Sequence, residues 1–205
     1  RRIAQSVARY APAEVPRALR LDESEQDERL EIMDFRQAQQ QYERYIEMLA
    51  EAKVTLGLPV LDEAMRGLAP GETLWIMARA GVGKTAFLLN ILAYNSEIGV
   101  DSLFCTLEQP AAQIYERAVQ IAVGQSGLDV ESVFSRAMVA KRAGTRLPEE
   151  YVDWTERTWQ RFQHVRMADR DAMTMEDVEA AVRAYERRYG RVPRIVAIDY
   201  LGRMD

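Results

Sequence analysis

The chain has 205 residues, 48% hydrophobic and 29% charged, with Lys+Arg 27 against Asp+Glu 32 for a net charge of −5. Such a composition belongs to a globular protein able to bury a core without disulfides, and it excludes a generally polybasic binder, so any nucleic-acid contact must use a local patch. One cysteine, Cys105, and one histidine, His164, exclude an intramolecular disulfide, a cysteine-based zinc site and HExxH metal chemistry, which fits a reducing, cytoplasmic compartment.

At about 150 residues per domain, one domain plus an appendage is expected. No apolar run approaches the roughly 18 residues of a membrane span, and no signal peptide is legible. The chain opens Arg1-Arg2 without a methionine, as a fragment or a trimmed chain would. Residues 1–20, with Pro12 and Pro16, read as irregular. Residues 21–53 read as a helical arm or linker. Its acidic start (Asp22, Glu23, Glu25, Asp27, Glu28) suits the positive end of a helix dipole. Leu30, Met33, Gln37, Tyr45, Met48 and Leu49 give a patchy stripe, which fits either an arm docked on a partner or a helix packed on its own domain.

Residues 54–73 carry turn signals: Gly57, Pro59, Gly67, Pro70 and Gly71. The apolar run Thr73–Ala78 is short and flanked by glycines, which predicts a buried strand. After a Gly-rich turn, Thr85 to Glu97 reads as a helix with Phe87, Leu88, Ile91 and Leu92 inward. Ser102–Thr106 is a second buried strand, and residues 110–123 a helix opened by Pro110. Residues 128–143 and 148–163 read as two helices divided by Gly144 and Pro148. His164–Met167 is a third strand. Residues 174–189 form a helix with a capping box of Thr174 and Asp177, ended by Gly190. Arg194–Asp199 is a fourth strand. Strands separated by helices predict an α/β fold, a parallel sheet flanked by helices and linked by right-handed crossovers.

The segment Ala78-Arg79-Ala80-Gly81-Val82-Gly83-Lys84-Thr85 lies between an expected strand and an expected helix, the setting of a phosphate-binding P-loop. Glycines let backbone N–H groups curl around phosphate oxygens, and the helix N-terminus adds positive partial charge. Ala80, Gly81, Val82, Gly83, Lys84, Thr85 and Ala86 are therefore candidates for holding ATP or ADP. Lys84 is placed to reach the β- and γ-phosphates, and the Thr85 hydroxyl to hold Mg²⁺. Ala78 stands where the first glycine of the common pattern belongs. Asp199 closes an apolar strand, the Walker B arrangement, and joins Thr85 as a candidate Mg²⁺ ligand. Glu108 follows the second strand. Strand C-termini gather at one edge of a parallel sheet, so Lys84, Glu108 and Asp199 should converge there. Glu108 is the candidate general base for water, with Lys84 the second catalytic candidate.

Together these blocks resemble the RecA-type motor domain of DnaB-like replicative hexameric helicases. The likeness runs through Leu68-Ala69-Pro70-Gly71-Glu72, the loop to Phe87, Thr106-Leu107-Glu108-Gln109 and Ile198-Asp199-Tyr200-Leu201. It covers about residues 55–204. Ala and Arg are frequent in the family where Ala78 and Arg79 stand. The resemblance implies a RecA-like P-loop NTPase core over residues 54–205, preceded by the helical arm. It implies an ATP-hydrolysing DNA helicase motor in DNA replication that works as a homo-hexamer on single-stranded DNA. A primase or helicase loader would be a further partner, and no membrane is involved. A RecA- or KaiC-like recombination or annealing ATPase, and a nucleotide-gated adaptor of a helicase, share the same motifs and stay open.

Gln109-Pro110 replaces the family's Met after the Glu, and Ala80 stands where Pro is common. The family's sensor, DNA-binding loops and arginine finger lie beyond Walker B, whereas this chain stops six residues after Asp199. The isolated chain is therefore expected to bind nucleotide, turn it over poorly and leave duplex DNA wound. Arg183, Arg187, Arg188, Arg191 and Arg194 form one basic cluster, and Arg136, Lys141, Arg142 and Arg146 another. Both read first as solvated faces, with phosphate contact as the alternative. Cys105 reads as core, His164 as structural, and Trp154 and Trp159 as packing residues. Arg117 stands one helix past Glu108, without an assigned role.

Overall fold

The computed structural model describes residues 32–52, 54–79, 81–170 and 173–199. The irregular segment expected over residues 1–20, and the acidic start expected for the arm, lie outside them. The chain divides into two compact units, Arg1–Ile46 and Glu47–Asp205. Helix α1 (Phe35–Ala52) begins in the first and ends in the second. The arm is not one continuous helix over 21–53, because Ile32–Asp34 are not helical. Asp34 explains the start. Its Oδ1 accepts from Gln37 N at 2.8 Å while Gln37 Oε1 accepts from Asp34 N at 2.8 Å, a reciprocal cap.

The second unit is built on β1 (Ser102–Thr106), β2 (Val165–Asp169) and β3 (Ile195–Asp199), in parallel order β2-β1-β3. Ser102 pairs with Val165 on one side and Ile195 on the other, and Thr106 with Asp169 and Asp199. The central strand is buried at all five positions, as a parallel strand covered on both faces must be. Its residues alternate between two cores. Leu103, Cys105 and Leu107 pack with Met173, Val178 and Tyr185, the last two from α7 (Met175–Tyr189). Phe104 points the other way, onto Leu89 and Leu92 of α3 (Lys84–Glu97), Ile114 of α4 (Ala111–Val123) and Ala197. Phe104 is fully buried. Truncating such a residue to alanine costs about 3–5 kcal/mol.

Helices α5 (Gly127–Ala143) and α6 (Glu149–Phe162) follow α4 and pack on it and on each other. Ser126 caps α5. Thr174 and Asp177 form both halves of the expected capping box on α7, and Thr174 N–H first, with the Arg170 charge behind it, holds the Asp177 carboxyl below its usual range.

At the N-terminal edge of the sheet, Asp101 ties the strands together. Its carbonyl accepts from Arg194 N (2.9 Å), and its carboxylate meets His164 Nδ1 (3.0 Å) and Arg191 Nε (2.5 Å). His164 is structural, as expected. Trp159 is not a packing residue: it is 64% exposed, while Trp154 is half-buried.

The short helix α2 (Pro59–Met65) sits within the stretch read only as turns. Thr73–Ala78 is not a buried strand. It has no regular secondary structure and no ladder partner among the described residues, with Leu74 and Ile76 half-buried and Trp75 and Met77 exposed. Strand identity depends on a neighbour that satisfies the backbone N–H and C=O groups, and β2, β1 and β3 pair only among themselves. The described sheet therefore has three strands, not four.

Candidate nucleotide site

The phosphate loop leads into the N-terminus of α3. Gly83 is the N-cap, with φ 100°, and Gly81 has φ 77°. A Cβ at either would meet nothing within 4 Å, so the need for glycine here is conformational rather than spatial. These left-handed residues open the turn and leave the first N–H groups of α3 free of intrahelical partners. Val82 is exposed, Ala86 lies half-buried in the first turn, and Ala80 lies outside the described residues.

Lys84 is half-buried, and its Nζ donates to the carbonyls of Ala78 (3.1 Å) and Arg79 (3.2 Å). The ammonium is thus held over the loop it belongs to. Thr85 Oγ1 donates to Asp199 Oδ2 at 2.6 Å, bridging 114 positions of sequence. Asp199 is buried. Its position at the end of β3 follows from the register that sets Thr106 beside it.

Glu108 is brought to the same edge. Leu107 N donates to Asp199 O at 2.8 Å, extending the strand pairing by one residue. Glu108 comes next, exposed, in a small crevice with Gln109, Pro110, Asp169 and Arg170. Thr106 Oγ1 donates to the Gln109 carbonyl and closes the turn that carries it. The structure thus gathers Lys84, Thr85, Glu108 and Asp199 on the C-terminal edge of the sheet and its adjoining loop.

A third carboxylate stands there that sequence reading passed over. Asp169 ends β2 as Asp199 ends β3, and its Oδ2 accepts from Ala111 N at 2.8 Å. A strand closed by Asp was the available signal, weakened by Arg166 within it. Arg117 is half-buried on α4. A separate, mostly apolar groove between α4 and α5, lined by Tyr115, Val119, Val130, Phe134 and Met138, contains none of the expected site residues. Burial, with Tyr151 nearby, raises the Tyr115 hydroxyl pKa there.

A family model described as the DnaB-like helicase C terminal domain matches residues 53–205, about three quarters of the chain. The chain belongs to this family. The DnaB-like assignment also has relatives behind it. Replicative DNA helicase DnaB of Pasteurella multocida (strain Pm70) is 28% identical over 159 residues, covering 72% of this chain and 30% of that protein. The DnaB of Haemophilus influenzae is 27% identical over 155 residues, with the same coverage. The chain therefore spans about 30% of the length of these DnaB relatives. Among solved structures, one described as an ATPase domain superposes with a TM-score of 0.64 at 19% identity, covering 85% of this chain and 60% of that one. A DnaB-like replicative helicase whose structure describes its interactions with primase gives the same score and identity, over 85% and 40%. At that identity the likeness is one of fold, an α/β DnaB-like ATPase domain. Among the described residues no helix is long and apolar enough to cross a membrane.

Proposed function

We propose that this domain binds ATP or ADP with Mg²⁺ at the loop Ala80–Ala86 and serves as the hydrolysing motor of a replicative DNA helicase. The observation that carries this reading is the Thr85–Asp199 hydrogen bond at the N-terminus of α3. A loop with two left-handed glycines, a lysine at the first helical position and a hydroxyl joined to a distant carboxylate is what a nucleotide polyphosphate requires.

The residues fit the cation as well. The Thr85 hydroxyl and the Asp199 carboxylate are hard oxygen donors within 2.6 Å of each other, the donor class Mg²⁺ takes. When bound, the ion would neutralise charge on the phosphates. Lys84 would exchange its two carbonyl partners for phosphate oxygens. Glu108, exposed at the strand end, would orient a water and accept its proton. Family membership supports action as a homo-hexamer on single-stranded DNA, with a primase or helicase loader as partner, in the cytoplasm.

The test is a titration with labelled nucleotide in the presence of Mg²⁺, wild type against Lys84→Ala. A clear loss of affinity is expected. Equal affinity in both would remove the loop from the site.

A further inference from the structure

The end of the sheet opposite the phosphate loop carries a second feature. Arginines gather there from three segments: Arg166 at the second position of β2, Arg187 and Arg188 in the last turn of α7, and Arg191 and Arg194 on the way into β3. They are organised around Tyr189. The Arg166 guanidinium lies 5.1 Å from the centre of its ring and the Arg188 guanidinium 5.6 Å. Arg166 Nε donates to the Tyr189 hydroxyl (3.1 Å), and its Nη1 donates to the carbonyls of Gln163 and Val165. Tyr189 packs in turn on the buried Tyr185, with ring centres 4.6 Å apart. Two guanidiniums are thereby fixed before any ligand arrives. Their ordering entropy is lost on folding and is not charged against binding.

Local acids do not neutralise this end. Elsewhere arginines meet carboxylates, as in Arg136–Glu150, Arg157–Asp153 and Arg170–Asp177. Here Asp101 is already shared between His164 and Arg191, and Glu186 precedes Arg187 on α7. Arg191 is therefore spoken for by Asp101. Among the described residues no carboxylate pairs with Arg166, Arg187 or Arg188. On a chain of net charge −5 this is a local positive field of the kind a nucleic-acid contact needs.

The geometry points to a phosphodiester-binding surface, on which a nucleic-acid strand lies across Arg166, Arg187 and Arg188 with Tyr189 holding two of the guanidiniums in place. Arg187 and Arg188 present exposed guanidinium forks that match phosphate oxygens in charge and shape, while Arg166, whose Nε and Nη1 are already bonded, adds its charge and its Nη2. Because the surface is at the N-terminal edge of the strands, its binding does not need nucleotide. The inference goes beyond the motor reading and stands or falls apart from it.

The experiment is fluorescence anisotropy of a labelled oligo(dT) with the 205-residue chain, without nucleotide, between about 50 and 200 mM salt. Arg187→Gln/Arg188→Gln is the variant of choice, since both residues are exposed. Its affinity should fall about tenfold, and the slope of log affinity against log salt should shrink by about 1.4, as two lost single-strand phosphate contacts require. Arg146→Gln, a strongly exposed arginine elsewhere, should bind like wild type. The double variant should also bind nucleotide as wild type does, so failure here is separable from failure at the phosphate loop. Unchanged oligo(dT) affinity in the double variant, or no binding by wild type at the lowest salt, would overturn the proposal. Binding of poly-glutamate in place of oligo(dT) would overturn it too.

Discussion

Thr85 Oγ1 donates to Asp199 Oδ2 over 2.6 Å, so one hydrogen bond joins the first turn of α3 to the last residue of β3. The bond has a stability consequence separable from ligand binding. Asp199 is 6% exposed, and removing the hydroxyl deprives a buried carboxylate of its donor. Thr85→Ala should therefore cost about 1–3 kcal/mol. Asp199→Asn keeps an oxygen acceptor for Thr85 and removes a buried charge, so it should cost less. Both should abolish the tightening of nucleotide binding by Mg²⁺. Urea denaturation and nucleotide titration with and without Mg²⁺ check the two halves. Equal unfolding midpoints for Thr85→Ala and wild type would show that the bond contributes nothing.

Glu108 calls for a different outcome. It is exposed, and the hydrogen bond from Leu107 N to Asp199 O fixes its backbone beside the site. Glu108→Gln preserves shape and removes basicity. Nucleotide affinity should stay at the wild-type level while turnover falls by about 10²–10⁴, the usual contribution of a general base. Steady-state phosphate release by the intact protein measures it. Unchanged turnover would take Glu108 out of the chemistry.

Local signals in the sequence were reliable where the physics is local. Ser102–Thr106 forms the strand that its apolar run predicts, and Thr174, Asp177 and Gly190 delimit α7 as their side chains and backbone freedom dictate. The Gly81–Thr85 turn stands at a helix start, as expected, although the segment before it forms no strand among the described residues. What failed was non-local. Thr73–Ala78 has strand composition, but pairing is decided by which neighbour offers free N–H and C=O groups. Helix α2 was hidden because it is seven residues long and buries none of them. It is held by Pro59 near its start and by Asp62, which accepts from Leu56 N and Leu58 N. The exposure of Trp159 was equally illegible, since a helical stripe does not say which side meets the core.

The single cysteine gives a direct probe of the core. Burial pushes the Cys105 thiol up to about 11. A raised thiol pKa means that the folded state favours the neutral form. Its contribution to stability is complete below the ordinary thiol value of about 8.5 and fades as pH rises toward 11. At about pH 8 the native chain should react with a disulfide reagent at least about 100-fold more slowly than a free thiol. Urea should restore reactivity along the unfolding transition, half of it at the midpoint. Rapid labelling of the native chain would mean that the face of β1 toward α7 is open to solvent.

Asp169 holds the start of α4, close in sequence to Glu108. Its Oδ2 accepts from Ala111 N at 2.8 Å, placing a carboxylate at the positive end of α4 across 58 positions of sequence. Removing a helix N-terminal cap costs about 1 kcal/mol. Asp169→Ala should lower stability by that amount, and Asp169→Asn by less, because the amide oxygen still accepts. Pro110, the N-cap of α4, is two residues from Glu108, so loosening the helix start should also shift the carboxylate meant to orient water. Turnover should fall several-fold in Asp169→Ala with nucleotide affinity unchanged, and it should recover in Asp169→Asn. Urea denaturation, phosphate release and nucleotide titration on the same two variants separate this positioning role from a direct one. Loss of nucleotide affinity in Asp169→Ala would make Asp169 part of the binding site itself. Equal turnover in both variants and wild type would confine its role to the stability of α4.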